Sequence, residues 1–471
     1  MDDAPPSTRP GSRRSLVPAL VYGALSTAIV SSLGMLLVPS IAKAMDVAVS
    51  TAQWTLTINL LAGAVATPVM GRLSDGAHPK RLLLVSLSIV LVGCVVAASA
   101  PRFDIFLVGR ALQGLTYGIV PVTISLARRY VAPARTQAAI SSLSVTVSTG
   151  IGIGYPLTGI IAGTLDFRAA FWFAAIFVVT ALVVVARHIP ADTELDAAGH
   201  ARRFDALGAV LLGLGLGSLL LGISEGTHWG WGSPAVISVL CLAVVVLAAW
   251  TFVELRTEHP LINLRVLTRT DVILANGTAI GLGGAMYIGL SMGSLVAQAP
   301  EETGYGLALP VWWAGFVMFP LSVGSFSANR VVRRLSRRVD LTVVLPFGAA
   351  VMASAAALLW LAHTELWEVL IGMFLFGVGL GASYAAMPAL IARSVAAAEL
   401  GSSVSFNQVL RTIGSSFGTA ISAAVIAAHL GVGGEATDRG ISTTFAISAV
   451  ACVGVFAVLA AHAVTGYRRG V

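Results

Sequence analysis

A succession of long apolar runs, separated by short polar turns, constrains this chain more than any other feature. Hydrophobic residues occupy 56% of the 471 positions and charged residues 11%, and the mean hydropathy is +0.87. About 20 apolar residues cross a bilayer as a helix, and lipid offers no hydrogen-bond partner to an unpaired backbone group. The pattern therefore predicts an all-α integral membrane protein.

The polar turns divide the apolar runs into groups of six, two and six, which predicts fourteen transmembrane helices. We expect the following segments: a disordered cytoplasmic tail (1–15), an N-terminal six-helix bundle (16–188), a cytoplasmic linker (189–205), two additional helices (206–253), a second cytoplasmic linker (254–270), a C-terminal six-helix bundle (271–465) and a cytoplasmic tail (466–471). The additional pair is rich in Gly and Leu, so we expect it to pack against the outside of the bundles.

The basic residues indicate the orientation of these helices. Most of the 29 Lys and Arg residues fall in turns on the side of the two tails, and the opposite turns hold Lys43, Arg102, Arg168 and Arg439. This asymmetry predicts that both tails are cytoplasmic. Because the arginines are scattered over separate turns, no nucleic-acid surface is expected. The three cysteines lie inside apolar runs, which argues against a disulfide framework, a metal site or a bound cofactor.

One turn, Gly71 to Arg81, carries a recognisable motif between the second and third spans. It combines Gly71, Arg72, Asp75, Lys80 and Arg81 within eleven residues. This pattern resembles a cytoplasmic loop signature of the major facilitator superfamily, and the grouping of six, two and six resembles its fourteen-span branch of drug:proton antiporters. The resemblance implies two pseudo-symmetric six-helix bundles. It also implies that Asp75 pairs with an arginine and a helix N-terminus to close the cytoplasmic side.

Two spans carry a buried arginine on a polar helix face. In the fourth span Arg110, Gln113 and Tyr117 are spaced to share one face, and in the thirteenth Asn407 and Arg411 do so. A mid-span arginine costs about 2.5–3.5 kcal/mol to insert and needs a wet cavity or a partner. The functional hypothesis is that both faces line one central cavity and take part in coupling or substrate recognition. The structural alternative is that each arginine is held by neighbouring carbonyl groups.

The fifth span resembles the antiporter motif of the same superfamily, which implies export. Its residues are Gly150, Gly154, Pro156, Gly159 and Gly163. The spacing of the glycines suits close helix contact, and the proline permits a bend.

The first span departs from the antiporter branch, since Ser26 stands where that branch carries an aspartate. No other mid-span acid is apparent, so the candidate proton carriers are Asp75, Asp104, Asp166 and Glu225. Two buried arginines without a buried acid predict an electropositive cavity, which disfavours dicationic substrates. The further candidates for the cavity wall are Trp54, Asn59, Tyr287 and Phe406.

These features predict a monomeric exporter of the bacterial inner membrane that works by alternating access. We expect it to carry neutral or anionic amphipathic small molecules in exchange for protons, with membrane lipid around it. One alternative is a conventional multidrug:proton antiporter for cationic or lipophilic drugs. Another is a membrane scaffold or sensor that transports nothing. No pattern typical of an enzyme or an ATP-binding loop is present in the sequence.

Overall fold

A computed structural model describes residues 12–34, 37–47, 49–190, 205–258, 260–335, 341–396, 399–431 and 435–469. Most of the predicted N-terminal tail, most of the 189–205 linker and the last two residues lie outside these ranges. Two predicted tail segments are helical where they are described, because residues 12–15 begin the first helix and residues 466–469 end the last.

The described chain is helical almost throughout. In the first half the helices are α1 (Ser12–Ser32), α2 (Val38–Ala44), α3 (Val49–Ala52), α4 (Trp54–Ser74), α5 (Pro79–Ser99), α6 (Phe103–Gln113), α7 (Thr116–Tyr130), α8 (Pro133–Thr164) and α9 (Phe167–His188). They are followed by α10 (Ala206–Trp229), α11 (Pro234–Arg256), α12 (Thr270–Gln298), α13 (Val311–Phe316), α14 (Phe319–Leu335), α15 (Leu341–Leu361), α16 (Leu366–Ser394), α17 (Leu400–Ala428) and α18 (Asp438–Arg469).

Within the described residues, 12 helices are long and apolar enough to cross a membrane, with α6 and α7 counted together. The apolar part of α1, Leu16–Ser32, falls short of that length, and α14 has 17 residues. The all-helical membrane class predicted from the apolar runs is therefore confirmed. The count of fourteen spans stays a prediction.

Local chemistry sets several of the helix starts. Proline occupies the first turn of α5, α8 and α11, where its missing N–H has no partner in the helix to lose. Side-chain caps begin others: Asp166 accepts a hydrogen bond from the Phe167 N–H, and Asp205 accepts one from the Gly208 N–H at 2.8 Å. These caps stand at the polar turns between the apolar runs, which is why the runs could be delimited from sequence.

The N-terminal and C-terminal helices meet along two seams. In one seam α4 packs on α17, and in the other α8 packs on α14 and α16. Glycine allows the close approach in both. A Cβ on Gly71 would stand 2.7 Å from the Gly401 carbonyl oxygen, and one on Gly152 would stand 2.8 Å from the Met318 carbonyl oxygen. Such distances leave no room for a methyl group next to backbone.

The second seam gives a stability test. We expect Gly152→Ala to lower the free energy of unfolding by about 1–3 kcal/mol, because its methyl group would meet α14 backbone that cannot move aside cheaply. Thermal unfolding in detergent measures this as a lower midpoint. The matched control is Gly163→Ala on the same helix, whose Cβ would stand 3.5 Å from Trp312 Cβ, an ordinary contact. Equal midpoints for the two variants would contradict the seam.

Candidate functional site

A cavity of about 640 Å³ lies between the two seams, and we call it the central cavity. Its wall comes from α4, α6, α7, α8, α10, α12 and α17, and its rim includes Pro300, Thr303 and Ala436. Ala436 follows the end of α17, whereas the Gly71–Arg81 loop packs on the start of that helix. Because α17 has 29 residues and is about 44 Å long, the rim and the loop lie at opposite ends of the molecule.

Arg110 lies at the inner wall of the central cavity and is 1% exposed. Its Nε donates to the Thr55 carbonyl oxygen at 3.2 Å, and its Nη1 donates to Gln113 Oε1. The Asn59 side chain donates to the Arg110 carbonyl oxygen at 3.0 Å. The guanidinium is therefore both held by neighbouring polar groups and part of the cavity wall, so the two sequence hypotheses for it are compatible.

Arg411 faces a smaller chamber of about 30 Å³ that adjoins the central cavity. Ser31, Leu60, Tyr117 and Tyr287 line both spaces. The Arg411 guanidinium carbon lies 4.1 Å from the centre of the Tyr384 ring, a cation–π contact. Within the described part of the chain, neither Arg110 nor Arg411 has a carboxylate oxygen within 4.0 Å. The polar part of the site therefore holds two guanidinium groups, and neither forms an ion pair with a carboxylate among the described residues.

The remaining residues predicted for the cavity divide into three groups. Asn59 and Tyr287 line it, as expected. Gln113 and Asn407 lie behind the wall, where Asn407 donates to the Ala275 carbonyl oxygen and to Asn276 Oδ1, both at 3.0 Å. The prediction was wrong for Trp54 and Phe406, which belong to neither chamber. Phe406 stacks on Trp250 of α11, because that face of α17 meets the additional helices.

The additional helix α10 contributes to the wall, which the sequence analysis missed. It packs on α4 and α17, and its last two turns bring Ser224, Glu225, Thr227 and His228 to the central cavity. Ser224 and Thr57 share a hydrogen bond of 2.9 Å that ties α10 to α4. The expected position of this pair outside the bundles is therefore wrong for the end of α10 that lines the central cavity. The polar cluster at the end of the apolar run of α10 was the sequence feature that could have indicated this contact with the cavity.

Glu225 is the candidate proton carrier that lines the cavity from within the bundle. It is 5% exposed, and its Oε2 lies 3.6 Å from Nδ1 of His228. Asp104 instead forms an exposed ion pair with Arg102 at 2.9 Å, and Asp166 caps α9. Both lie away from the central cavity.

Asp75 lies at the other end of the molecule, where the seam between α4 and α17 is closed. Its carboxylate accepts hydrogen bonds from the Gly401 N–H at 2.6 Å and the Ser402 N–H at 2.9 Å, in the first turn of α17. An anion is favoured at a helix N-terminus, where backbone N–H groups are unpaired. Burial nevertheless raises the pKa of Asp75 to about 7, and the two N–H donors and the nearby Arg72 guanidinium oppose that shift.

Basic residues around the same end hold the helices to one another. Lys80 donates to the Ile189 carbonyl oxygen at 2.6 Å and Arg129 donates to that of Gly76 at 2.9 Å. Arg128 reaches across to the Val395 carbonyl oxygen at 3.0 Å, which links the two halves. Arg81 is exposed. The Gly71–Arg81 loop thus takes part in a closed contact between the N-terminal and C-terminal helices.

The glycines predicted as an antiporter motif serve helix contacts. Gly150 and Gly154 face Ala28 and Ser32 of α1, Gly163 lies near Trp312, and Gly159 is buried. Pro156 lies against Gly315, where a Cβ would stand 3.1 Å from the proline Cα. The motif therefore positions α8 between α1 and α13.

Comparisons with known proteins bear on this architecture. Residues 19–204 and 196–419 match the sequence profile of the Major Facilitator Superfamily. An uncharacterised MFS-type transporter of Mycobacterium tuberculosis is 26% identical over 88% of this chain, which spans 60% of that protein. The multidrug resistance protein B homolog of the same organism is 26% identical over 89% of this chain and 80% of its own length. The lincomycin resistance protein LmrB of Bacillus subtilis is 27% identical over 62% of this chain and 60% of its own length.

A solved structure shares the fold. The human organic anion transporter MFSD10 (TETRAN) superposes with a TM-score of 0.65 at 15% identity, covering 96% of this chain and 100% of that one. At this identity the likeness shows the fold alone. Because the family profile covers most of its length, the chain belongs to the major facilitator superfamily, a family of transporters and not of enzymes, as its sequence motifs predicted.

Proposed function

We propose that this protein exports neutral or anionic amphipathic small molecules by alternating access. The observation that carries the proposal is a central cavity closed at the Asp75 end, with Arg110 in its wall, Arg411 in the adjoining chamber, and no carboxylate paired with either among the described residues. Cavities of roughly 300–1,000 Å³ hold drug-sized ligands, and this one falls in that range.

The charge of the inner wall favours an acidic or uncharged substrate. A cation would lie near two guanidinium groups in a low-dielectric site, whereas an anion would complete the charge balance there. Tyr117, Tyr155 and Tyr287 add ring faces and hydroxyl groups to the wall, which suits molecules with an apolar body and a polar end. Human MFSD10, which shares the fold, is named as an organic anion transporter, and that name agrees with this class of substrate.

The same proposal includes the finer topology. Counting α1 and the α13–α14 segment as spans gives fourteen, in the order six, two and six, with both termini cytoplasmic. The basic turns then lie on the cytoplasmic face, and the rim of the central cavity opens to the exterior. The captured state is outward-facing. A bacterial inner membrane, a monomer and surrounding lipid complete the proposed setting.

A conventional antiporter for cationic drugs is the second candidate. The names of the relatives as multidrug and lincomycin resistance proteins favour it, and Glu225 at the cavity wall offers a carboxylate. A scaffold that transports nothing is less well supported, because the halves enclose a large cavity with polar groups in its wall.

Proteoliposome efflux separates these candidates. We expect efflux of fluorescent anionic amphiphiles from the wild type, and a loss of about tenfold to a hundredfold in their kcat/KM in Arg411→Gln, since a hydrogen bond to a charged group contributes about 1.5–3 kcal/mol. Neutral probes are expected to change less. The matched control is Arg135→Gln, an exposed residue at the start of α8. Efflux of cations alone, unaffected by Arg411→Gln, would support the second candidate.

Glu225 is the proposed proton carrier of this transport cycle. We expect Glu225→Gln to lose the acceleration of efflux by an imposed pH gradient while retaining exchange of labelled for unlabelled substrate, because exchange needs no net proton movement. The matched control is Glu435→Gln, an exposed acid on the cavity rim. A gradient response that survives in Glu225→Gln would assign the proton to another group.

The pKa of Asp75 predicts how pH changes the equilibrium between the closed and open states of this end of the protein. Its pKa is about 7 when buried on α17, and an exposed aspartate titrates near 3.9, so the closed state binds the proton more tightly. Closure is therefore strongest below about pH 4, weakens by at most tenfold per pH unit up to about pH 7, and is constant above that.

Maleimide labelling of Ser405→Cys, in a background without native cysteines, measures this equilibrium. Ser405 is buried against Gly71 in the closed state. Labelling relative to a denatured sample is expected to rise between about pH 4 and pH 7. Asp75→Asn should remove the pH dependence. An unchanged profile in that variant would contradict the role of Asp75.

A further inference from the structure

A second acidic site lies where the additional helices end, away from the central cavity. Asp205 precedes α10 and Glu254 stands in the last turn of α11, so the hairpin of the two helices brings them together. Neither residue lines the central cavity or its adjoining chamber. Both lie at the same end of the molecule as Asp75.

Gly208 lies between the two carboxyl groups. A Cβ on that glycine would stand 2.8 Å from Glu254 Oε2 and 2.8 Å from Asp205 Cγ, and nearer still to Asp205 Oδ2. The outer oxygens of the two acids are otherwise engaged, because Asp205 Oδ1 accepts from the Gly208 N–H and Glu254 Oε1 accepts from the Ile262 N–H at 2.5 Å. Asp205 Oδ2 and Glu254 Oε2 thus point toward the same small space.

Within the described residues neither of these inner oxygens has a donor in hydrogen-bonding geometry, although the Trp250 side chain interacts with the Glu254 carboxyl group. Both atoms are buried, and Glu254 as a whole is 3% exposed. Two carboxylates that face the same small space repel each other strongly if both are ionised, and one proton between them removes the repulsion. The pair therefore has the chemistry of a carboxylic acid beside a carboxylate.

Among the described residues, one basic side chain near the pair can balance one of its two negative charges. The neighbouring helix α4 contributes Arg72, which interacts electrostatically with Glu254 and also with Asp75. Arg256, further along α11, lies over the Phe252 ring instead, at 3.9 Å from its centre. At the start of α17, Glu399 accepts a hydrogen bond from Asn263 of the linker at 3.0 Å. Within the described part of the chain, one cation near the two acids fits a singly protonated pair.

We propose that Asp205 and Glu254 form a proton-binding pair that holds the linker between α11 and α12 in place. The linker residues Leu261 and Ile262 are fully or almost fully buried against Trp250 and Leu212, and the Glu254 hydrogen bond to the Ile262 N–H fixes them there. Loss of the shared proton places two negative charges in this buried position, so deprotonation releases the linker. The proposal stands on this geometry and does not depend on which substrate the protein carries.

Infrared spectroscopy of the full-length protein in lipid nanodiscs tests the shared proton. The probe is the carbonyl stretch of a protonated carboxylic acid, followed from about pH 4 to about pH 9 in choline chloride. We expect a band in the difference between the wild-type and Glu254→Gln spectra, and we expect Asp205→Asn to lower its titration midpoint by about one pH unit or more, because the second negative charge is gone. Glu258→Gln, an exposed linker acid, is the matched control and leaves the band unchanged.

The absence of that difference band, or a midpoint that Asp205→Asn leaves unchanged, would overturn the proposal. Loss of the band when sodium chloride replaces choline chloride at fixed pH would also overturn it, since a metal cation would then occupy the site. Gly208→Ala keeps both acids but inserts a methyl group between them, so the midpoint falls as in Asp205→Asn.

Hydrogen exchange of residues 257–269 reports on the linker. Its protection is expected to fall above the wild-type midpoint and to be independent of pH in Glu254→Gln, whose amide oxygen still accepts from the Ile262 N–H. Protection that is independent of pH in the wild type would show that the proton does not hold the linker.

Discussion

The contact of the Asp75 carboxylate with the first turn of α17 decides which end of the central cavity is closed. Two backbone N–H groups of that helix would be unpaired at its start, and Asp75 accepts a hydrogen bond from each. The contact joins the two halves of the chain across the seam where Gly71 lets α4 approach α17. At the other end, where α8 contacts α13 near Trp312, the wall of the central cavity includes Pro300, Thr303 and Ala436.

Buried polar groups in the interior of the protein are of two kinds: some bond neighbouring helices to each other, and others face a cavity. Asn407 and Gln113 complete hydrogen bonds to neighbouring helices and stay behind the wall, which stabilises the packing without exposing polar atoms to lipid. Arg110 and Arg411 face space, with ring and carbonyl groups around them. A cation so placed is costly in an empty protein, and a bound anion would offset that cost.

The additional helices serve more than one purpose in this packing. One end of α10 supplies Glu225 and His228 to the central cavity, and the opposite ends of α10 and α11 bring Asp205 and Glu254 together near Arg72. Most of α11 meets few neighbours, and Val244, Val245 and Phe252 are exposed on it. Most of this helix pair thus lies on the outside of the protein, whereas its two ends lie against the inner helices.

Helix periodicity and the cost of charge in lipid let the sequence alone determine the membrane class, most helix bounds and the helix face that Arg110 and Gln113 share. Those properties depend on residues close together in the chain. Only the tertiary structure decided that α10 reaches the cavity, that Phe406 turns away from it, and that Asp205 meets Glu254. The physical reason is that an apolar helix face packs equally well against lipid and against a neighbouring helix, so its sequence does not indicate which of them it contacts.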